Sequence, residues 1–293
     1  MRPYLIPLMK KRTRIVLLAA IAVSAGTILY HLFWGKLFAF APFPPGFSKR
    51  EAAGAEVYVQ RGAAFDQPAV LEACLADVEK THGLSFLRKP KIFFFRRDRD
   101  YLRRTVTRAR FFAYPNGVVV CSPWGMREAA EGRISLEIYL KHELSHVLLF
   151  QHMGIVRASF SFPKWLLEGV AVLRSGQMGT SWYPDRAETL RQIGRGNFLP
   201  PADFGKKRGD RVRLDVPNRS AFVYSEFACL VGRMIDVYGE AKFGEYLGWM
   251  MAGGRPGDVF REVFGAEFDA FIKDFRARLA EKAGSSGYLR TGE

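Results

Sequence analysis

The chain is poor in the residues that cross-link small folds. Its 293 residues include three cysteines, Cys74, Cys121 and Cys229, far apart and odd in number. That excludes a disulfide framework and a zinc ribbon, and leaves either one bridge with a free thiol or three buried thiols. No CxxC pair, no basic region with heptads and no RNA-binding aromatic signature is present, so nucleic acid is not an expected partner. Internal repeats and low-complexity tracts are also lacking. Histidine is scarce, at five residues, and acidic residues are missing from the first 35 positions.

The remaining composition, 48% apolar and 25% charged, excludes disorder as a description of the whole chain and suffices for one large or two small domains. The formal charge is +15. Five bases lie near the N-terminus (Arg2, Lys10, Lys11, Arg12 and Arg14), and setting them aside leaves 39 bases against 29 acids. An excess of that size suits an anionic neighbour such as a lipid headgroup or an envelope polymer.

Ile15 to Trp34 is a 20-residue uncharged stretch, long enough as a helix to cross ~30 Å of hydrocarbon. It reads as a single-pass transmembrane signal anchor. Bases precede it, so the positive-inside rule assigns residues 1–14 to a cytoplasmic tail and everything after the span to the extracytoplasmic side. A cleaved signal peptide with its cleavage site around Ser24, Ala25 and Gly26 is the alternative, and it leads to the same compartment. Residues 35–54 read as a linker, whose segment Ala39 to Ser48, rich in Pro and Phe, is stiff and membrane-proximal.

Helical spacing predicts a helix over Gln67 to His82, stopped by Gly83. Lys91 to Phe95 reads as a buried strand and Arg99 to Arg108 as a short basic helix. Pro115-Asn116-Gly117 between apolar β-formers predicts a hairpin whose second arm is Val118 to Cys121, a candidate edge for an extended substrate. From Ile134 the period is helical as far as Gly154, and a second helix follows Pro163 and ends at Gly176. Gly176 to Asn218 reads as a long loop, with a basic run at 206–213. Helices over Arg219 to Tyr238 and Ala266 to Lys282 complete an α+β pattern, with a small mixed N-terminal sheet and a helical C-terminal half.

His142-Glu143-Leu144-Ser145-His146 is an HExxH motif in mid-helix. Residues four apart lie about 40° from each other and ~6 Å along the axis, so both imidazoles can reach one metal ion. Glu143, about 100° round from His142, can address a metal-bound water without being a ligand. A zinc ion lowers the pKa of that water to about 7, and the carboxylate can take its proton as it attacks a carbonyl. The bland alternative is an amphipathic helix with two polar histidines.

A catalytic zinc site needs a third protein ligand. His152 has the right sequence separation for one zincin pattern, but on an unbroken helix it lies ~9 Å beyond His146 and about 120° away, and is better placed as a helix C-terminal residue. Glu168, in Trp165-Leu166-Leu167-Glu168-Gly169-Val170-Ala171, is the stronger candidate. A carboxylate flanked by apolar residues is costly to bury unless a cation compensates it, and Gly169 leaves room for a second helix. Otherwise Glu168 is a surface residue of an amphipathic helix.

HELSH followed some twenty residues later by WLLEGVA resembles the gluzincin branch of the zincin metallopeptidases, in particular the small peptidase MA-like domains. The order of KIFFF, the YPNGVVVCSP hairpin, AFVYSEFACLVGRMIDVYGEAKFGEYL and VFREVFGAEFDAFIKDF is similar to that family over residues 55–283, with 284–293 left as a tail. The resemblance implies a zincin-like domain behind one transmembrane helix, Zn2+ held by His142, His146 and Glu168, and Glu143 as general base. It also implies Tyr224 as the phenol donor to the oxyanion, although a core aromatic among Phe222, Val223 and Phe227 fits that position as well. One departure stands out: where thermolysin-like gluzincins place an acid to orient a zinc-bound imidazole, this chain has Val172, so that partner must come from elsewhere.

These readings describe a membrane-anchored, extracytoplasmic zinc-dependent hydrolase, a metallopeptidase acting on peptide or protein. An intramembrane protease does not fit, because HELSH follows Lys141 and only one span is present. The competing function is a non-catalytic zincin-fold scaffold at the membrane or cell envelope, using segment 206–213 to hold an anionic component. Metal content separates the two.

Overall fold

Helix α1, Lys11–Trp34, opens the computed structural model, which describes residues 11–288 apart from 53, 64 and 66. Residues 1–10, with Arg2 and Lys10 of the basic tail, and 289–293 lie outside the described residues. Between Arg12 and Trp34 an 18-residue stretch has a mean hydropathy of 2.1 with none of its residues buried, so the helix is long and apolar enough to cross a membrane.

Five short strands form one mixed sheet: β1 (Phe47–Ala52), β2 (Ala55–Gln60), β3 (Lys91–Phe94), β4 (Phe111–Ala113) and β5 (Val118–Cys121), in spatial order β1-β2-β3-β5-β4. The β1/β2 and β4/β5 pairs are antiparallel, and β2/β3 and β3/β5 are parallel. Parallel neighbours need crossovers. Helix α2 (Pro68–His82) supplies the first and α3 (Asp98–Arg104) part of the second. Proline starts α2, and Gly83 ends it at φ 63°, a left-handed conformation that costs glycine little.

This topology corrects one expectation. Val118 to Cys121 is not an edge; β5 lies between β3 and β4, and the edges are β1 and β4. Valine at three successive β5 positions reflects burial on both faces, which a parallel pairing demands.

The linker expectation also changes. Phe38 is 1% exposed and sits with Phe47 against Phe93 and Phe95 on one face of the sheet, with ring centroids 5.3–5.8 Å apart where Phe38 is concerned. Residues 47–52 are strand β1 itself. The Phe and Pro content that suggested stiffness supplies apolar side chains that cover a sheet face otherwise left in water. Tyr101 and Tyr114 complete that layer. The opposite face (Val57, Val59, Ile92, Phe94, Val119, Cys121) joins the larger core beneath the helices.

The helical half comprises α4 (Pro123–Ala130), α5 (Leu136–Met153), α6 (Ile155–Phe160), α7 (Lys164–Ser175), α8 (Arg186–Gly194), α9 (Lys207–Asp210), α10 (Arg219–Tyr238), α11 (Glu240–Met251), α12 (Pro256–Phe264) and α13 (Phe268–Tyr288). The segment expected as one long loop between Gly176 and Asn218 therefore holds α8, a 3-10 turn at Pro201–Asp203 and α9. Helix α8 buries only Thr189 and Ile193, so its apolar stripe is too thin to read as periodicity. Its Asp185 cap accepts from Glu188 N–H at 2.7 Å. All three cysteines are free and buried, and burial raises the thiol pKa of Cys74 and Cys229 to about 12.

Candidate metal centre

The site is built on two helices held face to face. The Ser135 hydroxyl accepts from Ile138 N–H at 3.3 Å to start α5, which then runs unbroken through the HExxH residues to Gly154. Helix α7 starts behind Pro163 and ends at Gly176, left-handed at φ 71°. At Gly169 an added Cβ would stand 2.7 Å from the Phe227 carbonyl oxygen of α10, so glycine is what lets α7 seat on α10 with Glu168 turned toward α5.

On α5, His142 and His146 are 6% and 7% exposed, with Nε2 atoms 3.1 Å apart. Glu168 Oε2 lies 3.4 Å from His142 Nε2 and 3.6 Å from His146 Nε2. Four ligands placed tetrahedrally at ~2.05 Å from zinc stand ~3.3 Å from one another. The three donor atoms therefore have the spacing that a shared zinc ion requires. Glu168 Oε2 is buried with no hydrogen-bond partner among the described residues, an arrangement that a cation would relieve.

Burial alone would raise the Glu168 pKa, but the charge of His146 and the closeness of both imidazoles outweigh it and hold the carboxyl well below its usual range. For His142, burial disfavours the imidazolium, and the adjacent Glu168 carboxylate together with the charge of Glu143 reverses that and raises its pKa. Glu143 is buried beside this group and is not part of the three-donor cluster. Burial raises its pKa, and the two imidazoles and the Ala113 backbone on edge strand β4 pull it part of the way back.

Tyr224, on α10, brings its hydroxyl to the Glu168 carboxylate; the charge of Glu168 and then burial push the phenol pKa up. It is only partly buried and packs edge-on to Phe204 at 6.0 Å. His152 stays apart from the cluster, its Nε2 2.9 Å from the Ser85 carbonyl oxygen. Val172 is fully buried core.

Two residues near the site carried no sequence signal. Gln177, 1% exposed just past the α7 cap, sets its amide between the Tyr139 hydroxyl and the His142 ring. Gln177 Oε1 and His142 Nδ1 are both buried and have no hydrogen-bond partner among the described residues. Tyr183 lies close enough to Glu168 and Glu143 for both charges, behind burial and Tyr139, to raise its pKa. Both residues sit in the segment whose Gly and Pro content hid its structure. Its neighbour Trp182 lies under the Arg110 guanidinium at 4.3 Å, and Ser181, at φ 53°, donates to the Arg133 carbonyl.

No family model and no curated protein matches the chain. Among solved structures the chain is similar to a point mutant of the M1 zinc metallopeptidase from Deinococcus radiodurans (14% identity, TM-score 0.42) and to an M1 zinc metallopeptidase from the same organism (15% identity, TM-score 0.38). Each comparison covers 78% of this chain and 50% of the other, so this chain spans about half the length of those enzymes.

Proposed function

We propose that this protein is a zinc-dependent hydrolase of the gluzincin type, a peptidase anchored to a membrane by α1 with its catalytic domain on the extracytoplasmic side. The observation that carries the reading is the convergence of His142 Nε2, His146 Nε2 and Glu168 Oε2 at the spacing of a shared tetrahedral metal, with the Glu143 carboxylate alongside. Zinc held by these three residues would supply a Lewis acid and would lower the pKa of water at the site toward neutrality. The buried Glu143, its pKa raised, is matched to take that proton and return it to the leaving amine. Tyr224 and Tyr183 bring phenols whose raised pKa keeps them protonated donors, suited to a developing oxyanion. Edge strand β4, whose Ala113 backbone faces Glu143, is the place for an extended peptide to add as a strand.

The proposed topology rests on the bases that precede the uncharged stretch 15–34, and the basic excess of the remaining chain suits an anionic envelope component. Glu143→Gln tests the chemistry. The variant should keep stoichiometric zinc and lose turnover in a proteomic comparison with the wild type. Unchanged hydrolysis would refute the role of Glu143, and a wild-type chain that takes up no metal would favour the scaffold.

A further inference from the structure

The foot of α1 is fastened to the domain. Lys36 Nζ donates to the Leu102 and Thr105 carbonyl oxygens at 2.5 and 2.6 Å, closing over the C-terminal end of α3, 66 and 69 residues further along the chain. Phe33, in the last turn of α1, packs on Phe43 at 4.6 Å, so the chain folds back against the helix end. Asn116, in the β4–β5 turn, donates to the Ala39 carbonyl at 2.8 Å, and Phe38 is buried in the sheet face between these contacts. A connection held at four places gives the domain a defined attitude toward the helix.

Around this foot, five large apolar side chains are exposed: Leu37 (42%), Phe40 (49%), Phe43 (61%), Leu102 (39%) and Val106 (62%). Single exposed apolar residues are ordinary on any protein surface. Here they come from two distant stretches of sequence that the Lys36 contacts bring together, and they continue directly from a helix of membrane-spanning length and hydropathy. An adjoining groove of about 370 Å³ is lined by Phe40 and Pro42 together with Arg88, Lys89 and Lys91. Apolar and aromatic side chains beside cations are the composition that the headgroup boundary of a bilayer accommodates.

We propose that this face of the folded domain rests in the headgroup and upper acyl region of the same bilayer that α1 crosses. It rests on the membrane reading of α1 and adds a second, domain-borne lipid contact. The sheet face carrying Phe38, Phe93 and Phe95 then lies on the bilayer side, and the face beneath α5 lies away from it. The metal centre on α5 is separated from the lipid by the sheet, so substrate is a soluble or envelope-borne chain reached from the aqueous side, not a lipid-embedded one.

Spin-label accessibility on the full chain in phosphatidylcholine–phosphatidylglycerol nanodiscs tests this. The three native cysteines are buried, so Val106→Cys and Phe43→Cys can be labelled selectively, with Val23→Cys reporting the span and Asp269→Cys, exposed on α13, reporting water. The ratio of oxygen to aqueous nickel-chelate accessibility should be several-fold higher at 23, 43 and 106 than at 269. Labels at 43 and 106 that match 269 while 23 is in lipid would overturn the proposal and leave the span intact. A label at 23 that matches 269 would remove the membrane reading itself. Exclusion of both reagents at 43 and 106 would show that another protein copy covers this face, which also overturns the proposal.

Discussion

Gly169→Ala is a one-methyl change beside the proposed metal centre, and its consequence can be worked from distances. The new Cβ would meet the Phe227 carbonyl oxygen at 2.7 Å, its carbon at 2.8 Å and Val231 Cγ2 at 3.0 Å, where ordinary contacts begin at 3.4 Å. The shortfall of about 0.7 Å is against backbone, so α7 and α10 must separate by a comparable amount. Alanine gains ~1 kcal/mol of helix propensity over glycine, and overpacking costs ~1–3 kcal/mol, so a net loss of up to about 2 kcal/mol is expected, toward the upper end because the obstacle is backbone. For a chain of this size that lowers Tm by up to ~8 °C. Glu168 is the adjacent residue, and moving its carboxylate by a third of a ~2.1 Å zinc–oxygen bond should weaken zinc binding by roughly 10-fold or more. Thermal unfolding with and without chelator, together with a zinc competition titration, reads both effects. Gly244→Ala, on α11 with nothing within 4 Å of the added Cβ, is the control and should be neutral or slightly stabilising. A more stable Gly169→Ala with unchanged zinc affinity would refute the packing argument.

Tyr224→Phe keeps the ring against Phe204 and deletes only the hydroxyl, so zinc content and Tm should hold while kcat falls by about 100-fold, the worth of one oxyanion donor, with little change in KM; unchanged kinetics would return Tyr224 to the core. Glu226 is fully buried on α10, and burial pushes its pKa well above the usual value despite the Leu199 N–H that it accepts. A carboxyl that holds its proton more tightly when folded loses stability as pH rises above its unfolded pKa of ~4.3. Glu226→Gln should therefore match the wild type in Tm near pH 4 and exceed it by a margin that grows toward pH 8. A margin independent of pH would contradict the assignment.

Much of the scaffold was legible because it lies in long periodic helices. The α10 bounds, Arg219 and Tyr238, coincide with those read from spacing, and Gly169 was readable as a close approach because a glycine inside an apolar helical stripe has few other uses. The HExxH spacing set both imidazoles on one side of α5, since four residues nearly complete a helical turn. What escaped depends on partners distant in sequence. Phe38 and Phe47 look like linker residues until the exposed face of β3 is known, and β5 looks like an edge until β3 pairs with it in parallel. Gln177 and Tyr183 reach the site only because the segment after α7 folds back over α5, and nothing local in a Gly- and Pro-rich stretch marks that path.

The central claim is that one zinc ion is held by His142, His146 and Glu168. Metal analysis of the purified full chain should find one zinc per protein, a marked loss on replacing any one of the three with Ala, and none on His152→Ala, whose ring is engaged with Ser85. Zinc retained by Glu168→Ala and lost from His152→Ala would contradict it.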